Sequence, residues 1–275
     1  MTDVPADTYL SFVVSRPLFE VWNLFLLAMA RIVPIVAISP FFGGKALSDP
    51  LKMGFGVALS IIFLPFLITH SKGTIITNYS FIFMLVKEVF IGALLGYLIS
   101  IPYYIAQSTG SLIDHQRGAQ SLQVSDPMTS AQTSPIGTLL ANIMLVIFYS
   151  TGGVLVVFEA VFQSYTLIPA DSFLNPDFFT ITRPLWTTVI DLAHTVMRLT
   201  VQLSAPALLI LLLSDVFLGV ANRMAPQVQV TFLLYSLKSF MGIAIMWLGW
   251  WLIIKQFNVE LLSWYKLFKK VVLSF

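Results

Sequence analysis

The chain has 275 residues, 57% of them hydrophobic and only 10% charged, with a formal net charge of +2 and no cysteine; its mean hydropathy is +0.88. A soluble domain of this length carries about 25% charged residues, so the composition marks a membrane or membrane-derived protein. The small net charge and scattered basic residues argue against nucleic acid as a partner, and without cysteine there is no disulfide, thiolate nucleophile or sulfur-ligated metal.

The opening stretch MTDVPADTYLSFVVSRP holds Asp3, Pro5 and Asp7 where a cleavable signal needs basic residues. The first apolar run is therefore expected to be a retained helix. A crossing needs about 20 mostly apolar residues. Residues 18–40 qualify but contain Glu20, Arg31 and Pro34; residues 53–69 are shorter and contain Pro65. Residues 79–106 are long enough and carry Lys87 and Glu88 in their first half. Next comes AQSTGSLIDHQRGAQSLQVSDP, 106–127, polar and glycine-punctuated between two apolar runs.

Residues 135–168 are too long for one straight span, and Ser-Thr-Gly-Gly at 150–153 predicts two helical pieces. Residues 184–220 are again overlong and hold Asp191, His194, Arg198, Pro206 and Asp215. The cleanest run is 229–254, interrupted only by Lys238. A basic amphipathic tail follows, with Trp264 and Tyr265 beside Lys266, Lys269 and Lys270. With no repeat or low-complexity tract, the chain reads as a single domain, 1–275. The C-terminal lysines favour a cytoplasmic C-terminus.

A charge at the bilayer centre costs about 2.5–3.5 kcal/mol, so ionisable residues in spans normally face protein or water. Their presence in nearly every run predicts helices packed around one another. Glu88, Gly92, Gly96 and Ser100 recur every four residues on one helix face, the glycines forming a GxxxG that admits a close helix. That face predicts a buried contact, between subunits or within the chain. Asp191, His194, Arg198 and Gln202 share another face and predict an internal salt-bridged seam. Gln227, Thr231, Tyr235, Lys238 and Gly242 form a polar stripe after the stop at Arg223 and Pro226.

A catalytic zinc usually takes three protein ligands, and His70, His115 and His194 lie in separate segments. No GxSxG, HExxH, P-loop or dinucleotide fingerprint is present. Neither an enzyme nor a cofactor is expected. The competing class is a stand-alone secondary transporter with a midplane binding site. On composition alone, 106–127 reads as a hydrophilic loop that links two helices.

Taken together, these residues resemble the FliR, SctT and SpaR family, the export-gate subunits of flagellar and virulence-type type III secretion systems. Arg31, Pro34, Ser39 and Pro40 look like its first helical segment, and Glu88, Gly92 and Gly96 its E-x3-G-x3-G stretch. Gly110, Asp114, Gln116 and Gly118 match its G-x3-D-x-Q-x-G element, followed by Asp126 and Pro127. Pro206 sits in the late helix. Arg223, Pro226, Gln227, Val230 and Lys238 resemble its R-x-P-Q-x-x-V block, with one extra residue between arginine and proline.

The resemblance implies an all-α fold of long kinked helical hairpins, assembled helically with related subunits. It implies a structural and gating role at the entrance pore for unfolded proteins in the bacterial inner membrane, the complex projecting towards the periplasm. Implied partners are the FliP/SctR-like and FliQ/SctS-like gate subunits, the FlhB/SctU-like export-switch subunit, inner-rod and secreted proteins, and membrane lipid. Residues 1–168 would resemble the larger partner and 184–275 the small one. Gly110, Asp114, Gln116, Arg117, Gly118, Gln120 and Gln123 would form a plug-like gate loop, its glycines making it movable. Arg31, Glu88, Gly92, Gly96, Pro206, Arg223, Pro226, Gln227 and Lys238 would pack subunits, and Trp264, Lys266, Lys269 and Lys270 would meet lipid headgroups or a cytoplasmic partner. The PQVQV wording leans towards the virulence branch.

Overall fold

The structure, a computed structural model, describes residues 17–44, 47–71, 78–118, 134–173, 184–224 and 230–273. Every regular element among them is helical. In chain order these are α1 (Leu18–Ile38), a single 3-10 turn (Pro40–Phe42), α2 (Asp49–His70), α3 (Asn78–Gln116), α4 (Pro135–Ser150), α5 (Gly153–Leu167), α6 (Pro184–Met224), α7 (Val230–Leu248) and α8 (Trp250–Leu273).

Local chemistry sets several boundaries. α1 ends at Ser39, which precedes Pro40 and is extended, as the ring of a following proline demands. α4 starts at Pro135 behind Ser134, whose side chain accepts from Gly137 N. The break expected at 150–153 is present: Gly152 takes φ +74°, a left-handed conformation that favours glycine, and α4 and α5 are separate helices. The last run departs from expectation. It breaks near Gly249 with a bend of 62°, and the basic tail is the continuous helix α8 of 24 residues.

Pro34, Pro65, Pro102 and Pro206 all lie inside helices. α3 has 39 residues and α6 has 41, which at 1.5 Å per residue makes each about 60 Å long. That is roughly twice the hydrocarbon thickness of a bilayer. Among the described residues, four helices are long and apolar enough to cross a membrane, or up to six spans if each bent pair counts as one.

The described residues build two compact units. The first draws on Met1–Ser100, Gly153–Thr188 and Tyr265–Phe275; the second on Ile101–Gly152 and Val189–Trp264. In the first unit, α1 buries Leu24, Leu27, Ala28, Ile32, Ile35 and Val36, an apolar stripe at helical spacing that also carries Asn23 and Arg31. α2 closes on it at Gly56, where a Cβ would come within 3.0 Å of Val33 Cγ2. Phe63 of α2 stacks on Phe162 of α5 with centroids 4.4 Å apart, and Phe42 stacks on Phe158. In the second unit, α6 buries Thr200, Ser204, Ala207, Leu211, Ser214 and Leu218. Their alternating spacing of four and three is that of a helix-packing seam, and the small residues let a neighbouring helix approach closely.

Candidate functional site

Two charge clusters stand out, one in each unit. The first is centred on Arg31 of α1, which is wholly buried. Its guanidinium makes a two-pronged ion pair with Glu88 of α3: Nε to Oε2 at 2.5 Å and Nη2 to Oε1 at 2.8 Å. It also donates to Ser164 Oγ at 3.1 Å and to the Ile168 carbonyl at 2.9 Å. The Tyr165 ring lies 4.0 Å from the guanidinium carbon, so donors and flat face are both engaged. Glu88 is shared with Lys87 Nζ at 2.8 Å. That ammonium also donates to the carbonyls of Pro169, Ala170 and Ser172. Past the end of α5 those carbonyls have no helical partner, and one lysine serves all three.

Gly92 and Gly96 explain how α1 and α3 come so close. A Cβ on Gly92 would run into the Arg31 carbonyl and lie 3.0 Å from its Cα. One on Gly96 would sit 3.1 Å from Ile35 Cα and 3.2 Å from the Pro34 carbonyl. The contact expected between subunits at Arg31, Glu88, Gly92 and Gly96 is thus met inside the chain. Spacing had shown which face was special, not which helix would fill it.

The second cluster surrounds the end of α3. The gate element expected as a loop is mostly helix: Gly110, Asp114 and Gln116 lie in α3, and only Arg117 and Gly118 form the turn that ends it. Gln120 and Gln123 lie outside the described residues. Gly110 is a close-approach glycine, not a flexible one, since a Cβ there would lie 2.5 Å from Gly137 N and 2.6 Å from its Cα. Gly118 adopts φ +79°, the left-handed stop that follows many helices.

Asp114 is buried and holds both flanks of 119–133. On the outgoing side Arg117 Nε and Nη2 each reach Asp114 Oδ1 at 2.6 Å. On the returning side Asp114 Oδ2 accepts from Ser134 Oγ and, at 2.9 Å, from Ile136 N. The carboxylate therefore also sits on the Ile136 amide in the first turn of α4, where negative charge is favoured. Arg117 lies against Gly242 of α7, its Cδ 3.3 Å from where a Cβ would be.

A second ion pair completes this cluster. Lys238 of α7 pairs with Asp215 of α6, and Gln116 Nε2 donates to Asp215 Oδ2 at 3.3 Å. Lys238 Nζ also reaches the Gln116 carbonyl, the last of α3, at 3.4 Å. The Lys238 side chain, expected to pack subunits, is thus engaged within the second unit. Asp215 remains about one-third exposed, at 31%.

Other expected residues fall elsewhere. Arg223 is exposed near the end of α6, as is Pro206 in its middle; Pro226 and Gln227 lie outside the described residues. The seam expected at Asp191, His194, Arg198 and Gln202 is not internal: all four are exposed, and no ion pair among the described residues includes them. Trp264 is buried, at 7% exposure, not spread at a headgroup surface. Lys269 pairs with Glu159 at 2.6 Å, whereas Lys266 and Lys270 are exposed.

Sequence reasoning did not assign Lys87, Ser134, Ser164, Tyr165 or Asp215 to a site. Asp215 carried a usable signal. It and Lys238 are isolated opposite charges in consecutive apolar runs joined by a short connection, and each needs a partner.

SpaR of Shigella flexneri, a surface presentation of antigens protein, is 29% identical over 239 residues, covering 84% of this chain and 88% of its own. Yop proteins translocation protein T of Yersinia pestis is 28% identical over 231 residues, 82% of this chain and 84% of its own. The flagellar biosynthetic protein FliR of Buchnera aphidicola subsp. Baizongia pistaciae is 23% identical over 228 residues, 82% of this chain and 85% of its own. The sequence profile of the bacterial export proteins, family 1, matches residues 22–263. That match takes in Arg31, Glu88, Asp114, Asp215 and Lys238 together, and the chain belongs to this family of export-apparatus proteins.

Proposed function

We propose that the chain is a structural and gating subunit of the inner-membrane export gate of a type III protein secretion system, with the end of α3 at the entrance pore. The observation that carries the reading is Asp114, a buried carboxylate that grips both ends of a polar, glutamine-rich segment in an otherwise apolar chain. A pore for unfolded polypeptide must be wettable and must release its cargo. Gln120 and Gln123, flanked by the Asp114–Arg117 pair, supply that chemistry, with Gly110, Gln116 and Gly118 fixing where the segment leaves α3. Opening exchanges some of these bonds for water and substrate contacts.

The partners follow from the same reading: two related gate subunits, FliP/SctR-like and FliQ/SctS-like, and a FlhB/SctU-like switch subunit. Residues 1–168 would resemble the larger gate subunit and 184–275 the small one. Arg223, Pro226 and Gln227 would meet neighbours beyond α6, and exposed Lys266 and Lys270 would reach anionic headgroups or a cytoplasmic partner. The complex would project towards the periplasm. Support for the virulence type comes from identities of 28–29% to SpaR and the Yop translocation protein against 23% to FliR.

Co-expression with the neighbouring membrane genes, purification in mild detergent and native mass spectrometry tests the reading. A defined hetero-oligomer with a single copy of this chain is expected. A stable monomer or homodimer that ignores those neighbours overturns it. The secondary-transporter reading, favoured by the two bent helix pairs, then takes its place.

A further inference from the structure

Two consecutive residues at the end of α3 are each met by α7. Lys238 Nζ reaches the Gln116 carbonyl at 3.4 Å, and one turn further on Gly242 leaves room for the Arg117 side chain. Positions 238 and 242 are four apart and so lie on one face of α7. Both are buried. Lys238 is the one charged residue between Val230 and Leu248, and a lysine in so apolar a helix needs specific partners.

Each contact has a physical reason. The next two amides of the chain bond elsewhere: Arg117 N donates to the Ile113 carbonyl and Gly118 N to that of His115. The Lys238 ammonium brings a donor to the Gln116 carbonyl at this helix end while paired with Asp215 of α6. The Gln116 side chain closes the triangle by donating to Asp215 Oδ2 at 3.3 Å. At the second position a Cβ would stand 3.3 Å from Arg117 Cδ and 3.7 Å from its Cβ. Arg117 cannot swing away from such an atom without loss, because its Nε and Nη2 are both fixed on Asp114 Oδ1. Asp114 in turn holds Ile136 N on the returning side. A continuous line of contacts thus runs from α7 through Gln116 and Arg117 to Asp114 and the start of α4.

We infer that α7 is the latch of the gate: Lys238 and Gly242 are positioning residues that hold the base of 119–133 closed by acting through Gln116 and Arg117. Moving α7 away from α3 withdraws the ammonium from the Gln116 carbonyl and the support from Arg117 together. Asp114 then loses the fixed arginine that keeps it on both flanks. Release begins at α7 and not at the carboxylate, because the Lys238–Asp215 pair is part-exposed and can exchange with water, whereas the Asp114–Arg117 pair is buried. This role rests on the reading of 119–133 as the gate.

The test is the ion permeability of secreting cells carrying full-length variants assembled to wild-type amounts. Lys238→Met should raise permeability up to about fivefold, the shift in an open–closed ratio that loss of a part-exposed pair supports. Lys238→Arg, which keeps the charge and the donors, should restore the barrier that Lys238→Met loses. The exchange of Lys238→Asp with Asp215→Lys should still leak, because it keeps a pair between α6 and α7 but sets a carboxylate against the Gln116 carbonyl. Gly242→Ala should leak without any fall in melting temperature, since alanine is the better helix former, and Gly242→Val should leak more. If Lys238→Met fails to assemble, the two Gly242 variants decide. A tight barrier in the charge exchange would overturn the inference and leave Lys238 as a link between α6 and α7 only. Tight complexes in both Gly242 variants would overturn it as well. Asp114→Asn in the same cells separates the latch from the gate. A leak there beside tight α7 variants refutes the latch alone, whereas tight complexes throughout refute the gate reading with it.

Discussion

The two charge clusters use similar residues for opposite ends. Around Arg31 both charges of the central pair are wholly buried, and Arg31, Glu88 and Lys87 spend their bonding capacity on one another and on fixed backbone carbonyls. Around Asp114 the carboxylate binds the flanks of a polar segment, and the neighbouring pair is part-exposed, at 31% for Asp215 and 11% for Lys238. A sealed ion pair with every lone pair satisfied is costly to break, whereas a part-exposed one exchanges partners with water at little cost. The first cluster is a weld between α1, α3 and α5. In the second, the Asp114–Arg117 pair is buried too, at 1% and 9%, and only the Asp215–Lys238 pair beside it has the exposure of a fastening that can be released.

That contrast can be broken by mutation. Arg31→Ala leaves Glu88 buried with only Lys87, and removing one partner of a buried pair costs about 3–5 kcal/mol. The chain should disappear from membranes or become protease-sensitive, measured by immunoblot and limited proteolysis. The swap of Arg31→Glu with Glu88→Arg should not rescue it, because Ser164 Oγ and the Ile168 carbonyl need donors on the α1 side. Gly92→Leu should follow, since its side chain meets backbone of α1; overpacking of this kind costs about 1–3 kcal/mol, readable as a lower melting temperature in detergent.

In the second unit the effects should be smaller on stability and larger on transport. Asp114→Asn keeps the shape and an acceptor for Ile136 N but leaves Arg117, itself buried, without its counter-charge, a loss of about 3 kcal/mol, at the low end for a broken buried pair. The complex should still assemble, with secretion altered. Asp215→Asn should cost under about 1 kcal/mol because its pair is part-exposed. A collapse of folding in Asp215→Asn as severe as that in Arg31→Ala would erase the distinction between the clusters.

Part of this was legible beforehand. The four-residue spacing of Glu88, Gly92 and Gly96 marks a close-packed face, and the glycines at 152–153 mark the break between α4 and α5. Periodicity assigns a face but not its neighbour, so the pairing of Glu88 with Arg31, 57 residues away, was out of reach. Lys87 was missed for a different reason: its acceptors are backbone carbonyls, which leave no side-chain signature, although Pro169 hints that α5 must stop there. Gly110 was misread as a flexible residue because nothing in its own helix announces Gly137. The row from Asp191 to Gln202 was read inwards because polar residues in an apolar run usually face protein.

The most direct test of the central claim is the permeability of secreting cells to small ions when Asp114→Asn is assembled at wild-type amounts. Loss of the carboxylate that fastens both flanks of 119–133 predicts a leak that the wild type lacks, together with altered export. A complex assembled to the same level, with unchanged permeability and unchanged secretion, would contradict it and reduce Asp114 to a helix cap.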